Sequence, residues 1–69
     1  MTATETNLEW CERMFDEIEP TADAAFAFDM SDDGKRYYSI ARCCMVSNLG
    51  LWSELSSAQQ SKLNEVSPA

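Results

Sequence analysis

The sequence predicts an all-α fold, a small bundle of three to four short helices, and three observations point there. A capping pair, Thr6 and Glu9, opens an apolar repeat at helical spacing. A second run of residues with helical spacing ends at Gly50, a residue suited to the left-handed conformation that stops a helix. The one stretch with strand-like alternation has no third strand to join, and an isolated two-stranded hairpin is marginal in water.

The first helix starts after Thr6 and is limited by Pro20, which cannot continue a helix and restricts the residue before it. Within it Leu8, Cys11, Phe15 and Ile18 recur at spacings of 3, 4 and 3. Together with Met14 they fill an arc of roughly 120°, the width of a core-facing stripe, and Trp10 falls on its rim.

Residues 21–30 fit two patterns. Ala22, Asp23, Ala24 and Ala25 favour a helix, whereas Phe26, Phe28 and Met30 alternate at strand period. The strand pattern gives an alternative α+β fold with one β-hairpin at about 24–40, turning around Asp33 and Gly34 and returning along Arg36 to Ile40. The helical pattern, which is preferred, has Ser31 or Asp32 cap a helix from about Asp33 to Leu49, with acids at its N-terminus where the helix dipole favours them. Leu51 and Trp52 form a short connector. Ser56 with Gln59, or Ser57 with Gln60, caps a last helix to about Val66, with Leu63 and Val66 facing inward.

A chain of 69 residues holds one domain, read as 1–69 with loose ends at about 1–5 and 67–69. Cores of this size are marginal and lean on disulfides, a metal, close helix packing or a second copy. Three cysteines, two of them adjacent, with no histidine, make a poor disulfide framework and no zinc-binding spacing. Cys11, Cys43 and Cys44 therefore read as small reduced hydrophobes, and neither metal nor cofactor is expected. Met1 to Asn7 has no basic cluster and no apolar run, which reads as cytoplasmic, without a leader or a membrane span.

The net charge is −7, and it is uneven. Residues 1–33 carry ten acids against Arg13 alone, while residues 34–69 carry Glu54 and Glu65 against Lys35, Arg36, Arg42 and Lys62. Direct binding to nucleic acid or to an anionic membrane is disfavoured, since phosphate affinity rests on Lys and Arg releasing counterions. Catalysis is not expected either, because no histidine base and no glycine-rich phosphate loop is present.

The feature that invites a function is a row of acids on the first helix. Glu5, Glu9, Glu12, Asp16 and Glu19 repeat at spacings of 4, 3, 4 and 3 beside the apolar stripe. Like charges one turn apart repel by a few tenths of a kcal/mol per pair, so the row is either tolerated as a solvated face or used. Used, it would meet a basic surface on another protein, with carboxylates standing where phosphates would stand. Trp10, Tyr37 and Tyr38 are candidate anchors for such a partner, because Trp and Tyr dominate binding hot spots. The expectation is an acidic protein-binding module that blocks or modulates its partner, of the kind phages and mobile elements direct at host nucleic-acid-handling proteins. The alternative is a structural or assembly subunit acting as a homodimer or larger oligomer.

Overall fold

A computed structural model describes residues 4–66 of the chain, and the described residues contain five short α-helices and no strand. The helices are α1 (Asn7–Glu17), α2 (Ala22–Asp29), α3 (Asp32–Ala41), α4 (Met45–Asn48) and α5 (Ser57–Val66), with a 3-10 turn at Trp52–Glu54. The all-α bundle is thus formed, and the hairpin at 24–40 is not. Its strand-like alternation loses to local capping. Thr21 Oγ1 accepts from the Ala24 amide and starts α2, and Ser31 Oγ accepts from the Gly34 amide and starts α3. Of the ends expected to be loose, 1–3 and 67–69 lie outside the described residues, and Glu5 is held by Arg13.

The capping box at the start of α1 forms as expected: Thr6 Oγ1 accepts from the Glu9 amide at 3.1 Å, and the Glu9 carboxylate accepts from the Thr6 amide at 2.9 Å. The same arrangement recurs before α5, where Ser56 and Gln59 exchange bonds of 3.0 and 3.2 Å.

The long helix expected from Asp33 to Leu49 is two helices. Arg42 adopts the left-handed conformation with φ 61°, ending α3, and Cys43 and Cys44 turn the chain into α4. What holds this break is Asp29, at the end of α2. Its carboxylate accepts from the amides of Met45 at 2.7 Å and Val46 at 2.8 Å, so a buried side chain from another element satisfies the first amides of α4. The helix then stops at Gly50, as read from the sequence. Gly50 has φ 69°, its amide reaches the Ser47 carbonyl, and the Leu51 amide reaches the Val46 carbonyl, the paired bonds of a left-handed C-terminal cap.

At the centre lies α2, which packs on α3, α4 and α5, while α1 packs on α3. The core comprises Trp10, Met14, Ala25, Phe28, Tyr37, Met45, Val46, Leu55 and Leu63. Tyr37 is its hub. Its ring meets Phe28 edge to face at 5.8 Å between centroids and Trp10 at 6.3 Å, and its hydroxyl accepts from the Asn48 side chain at 2.6 Å. Every buried side-chain nitrogen and oxygen among the described residues has a partner. The close approach of α3 to α2 depends on Gly34, where a Cβ would lie 1.9 Å from the Phe28 carbonyl oxygen.

The packing corrects the stripe read from α1. Trp10 and Met14 face the core, whereas Leu8 is 69% and Phe15 39% exposed. Cys11 and Ile18 are partly buried at the edge of the core. The helix is rotated so that its largest ring, Trp10, is buried against Tyr37 and covered by the Arg36 guanidinium 4.4 Å above it.

Candidate protein-binding surface

The rotation of α1 places its acids. At about 100° per residue, Glu9, Glu12 and Asp16 share an arc of roughly 60° that lies about 150° from the direction of Trp10 and Met14. All three are exposed. The row is shorter than its sequence spacing suggests. Glu9 gives one oxygen to the capping box, and Glu19 lies beyond the end of α1, after Ile18 has left helical geometry with ψ 129°. Glu12 and Asp16, one turn apart, remain as an outward carboxylate pair flanked by Glu9.

Arg13 and Arg36 stand on one side of this row. Arg13 donates to both oxygens of Glu5, at 2.8 and 3.0 Å, and to Glu17 at 3.2 Å. The guanidinium bonded to Glu5 holds that carboxyl below its usual range. Arg13 is therefore engaged by Glu5 and Glu17, and Arg36 lies over Trp10. Among the described residues no ion pair reaches Glu12 or Asp16. On the other side of the row stand the exposed Leu8 and Phe15.

Of the aromatic candidates, Trp10 and Tyr37 are 5% and 3% exposed and belong to the core, so they are removed from the surface that could meet a partner. Adjacent residues on a helix diverge by about 100°, which is why Tyr37 is buried and Tyr38 is not. Tyr38 is half-buried and lines a separate groove of about 700 Å³ between α3, α4 and α5, together with Lys35, Trp52 and Leu63.

The thiols Cys11, Cys43 and Cys44 are free and half-buried. Burial pushes the Cys43 thiol up, against the lowering effect of its bond to Tyr37, which works against a reactive thiolate. The described residues contain no group of three His, Cys, Asp or Glu side chains placed to hold a metal. None of their helices is long and apolar enough to cross a membrane.

The exposed edge formed by Leu8 and Phe15 is the part of this surface that sequence reasoning missed. Two apolar arcs overlap at Met14 on α1, one through Leu8, Cys11, Met14, Phe15 and Ile18 and one through Trp10 and Met14. Helical period alone does not choose between them. The 3, 4, 3 spacing, which is that of a helix-pairing seam, was the available signal that the first arc could face another helix. No family model matches the chain, and comparison with curated proteins and with solved structures finds no match.

Proposed function

We propose that the protein is a small acidic protein-binding module that blocks or modulates a partner through the anionic outer face of α1. The observation that carries this reading is the pair Glu12 and Asp16, exposed, on the side of α1 away from the core and without an ion pair among the described residues. Two carboxylates one turn apart repel, and a basic partner turns that repulsion into attraction. By class and size the reading extends to an inhibitor of a host nucleic-acid-handling protein, made by a phage or mobile element, whose basic groove the carboxylates would occupy in place of phosphates.

The test is affinity capture from the native host at low and high salt, with wild type beside a Glu12→Lys/Asp16→Lys variant. Both residues are exposed and outside the core, so the reversal leaves the fold intact. A partner held by wild type, released at high salt and lost with the variant supports the reading. A partner indifferent to both changes removes it. Exposure of Leu8 and Phe15 favours a second reading, self-assembly through an apolar face. Sedimentation of wild type against Leu8→Ser tests it. Trp10→Ala, by contrast, would report on the core and not on assembly.

A further inference from the structure

We propose that the element of the partner that this protein holds is an amphipathic basic helix, seated in the groove between α1 and the end of α3. The inference rests on the protein-binding reading and adds the groove and the chemistry of what fills it. Leu8 and Cys11 of α1 form one wall, and Ile40 and Ala41 of α3 the other. Leu8 is the most exposed large hydrophobic side chain among the described residues, and Phe15, two turns along the same edge of α1, continues the apolar strip past the groove. A helix laid along this strip would meet apolar residues at the spacing that suits helix-on-helix contact.

Charge decides the occupant. The outer border of the strip is Glu12 and Asp16, with no intramolecular ion pair among the described residues, so a helix whose apolar stripe is flanked by Lys or Arg gains on both counts. Arg42, exposed at the opposite border where α3 ends, fits an acidic residue on the far flank of the same helix and so fixes its orientation. A second copy of this chain fits less well. Each copy carries −7, and α1 set against α1 would place carboxylates against carboxylates.

The test uses the whole chain and two synthetic helical peptides of equal net positive charge, one with Leu at heptad positions, Lys along one flank and a Glu on the other (the Leu/Lys peptide), the second with Ser in place of each Leu (the Ser/Lys peptide). Binding is read by fluorescence titration, and the site by backbone amide shifts in NMR spectra. The Leu/Lys peptide is expected to shift residues 8–15 and 39–42 and to bind on the order of tenfold more tightly than the Ser/Lys peptide, a gap of about 1.4 kcal/mol. Leu8→Ser should remove most of that gap, and its helical circular dichroism should match wild type because the side chain is exposed. Glu12→Lys/Asp16→Lys should abolish binding of both peptides.

If both peptides bind alike and Leu8→Ser has no effect while the charge reversal does, the groove is overturned and the acidic face stands. Binding that survives the charge reversal removes the acidic face as well. Shifts confined to the groove around Tyr38 and Trp52, or no binding by the Leu/Lys peptide at low salt, overturn the inference. So does a wild-type dimer that Leu8→Ser converts to monomer, since the groove would then belong to a second copy.

Discussion

Gly34 and Asp29 are the two residues on which the packing of this small bundle turns, and neither is conspicuous in the sequence. Glycine inside a helix costs about 1 kcal/mol relative to alanine, so its presence in α3 needs a reason. The reason is the Phe28 carbonyl, which leaves no room for a Cβ. Gly34→Ala must push α3 away from α2 and should destabilise by on the order of 3 kcal/mol, measured by urea unfolding. Asp29 accepts two buried amides of α4. Asp29→Ala should cost about 1–3 kcal/mol for each amide left buried and unpaired. Burial pushes the Asp29 carboxyl above the ordinary carboxylate range, and the amide bonds oppose this without overcoming it. The folded state then holds this proton more tightly than the unfolded state does. Its contribution is therefore fully present below the ordinary value near 4 and is lost as pH rises through the raised folded value. Unfolding curves across that window should show wild type losing stability with rising pH relative to Asp29→Asn, which does not titrate.

At the level of elements, the ends of the helices were more legible than their faces. Thr6 with Glu9, Ser56 with Gln59 and Gly50 act through bonds to neighbours within a few residues, so their sequence signals carry over directly. The break between α3 and α4 had no such signal, because its left-handed residue is Arg42 and the acceptor that starts α4 comes from α2. A non-glycine residue in that conformation is strained by about 1 kcal/mol. Arg42→Gly should relieve the strain and raise stability by roughly 0.5 kcal/mol once the greater freedom of glycine in the unfolded chain is counted, a gain readable as a higher urea midpoint. The same break explains why a continuous helix to Leu49 does not form. Such a helix would carry Met45 and Val46, both fully buried, away from the Asp29 carboxylate that they share.

Across the whole molecule, the charge asymmetry seen along the chain becomes a surface with sides. Arg13 is drawn to Glu5 and Glu17, Arg36 covers Trp10, and on the outward face of α1 Glu12 and Asp16 have no ion pair among the described residues. Binding through such a face depends on exposed charges and is screened over about 10 Å at 0.1 M salt. For a partner captured through it, association measured by stopped flow should slow steeply between low and moderate salt, while dissociation changes little. Glu12→Lys/Asp16→Lys should remove that salt dependence and leave the unfolding midpoint within about 0.5 kcal/mol of wild type, since surface substitutions away from the core rarely do more.

The helical class, the caps of α1, α3 and α5, the stop at Gly50 and the acidic excess of the first half could all be read from the chain, because each rests on composition or on bonds between residues close in sequence. Which arc of α1 faces inward could not. Leu8, Cys11, Phe15 and Ile18 with Met14 make as good a stripe as Trp10 with Met14, and the choice is made by Tyr37, more than ten residues away, whose ring packs against the Trp10 ring. That one rotation withdrew Trp10 from any binding surface, exposed Leu8 and Phe15 beside Glu12 and Asp16, and so set where a partner could be held. Rotation about a helix axis leaves every intrahelical bond unchanged, and only contacts between elements can fix it.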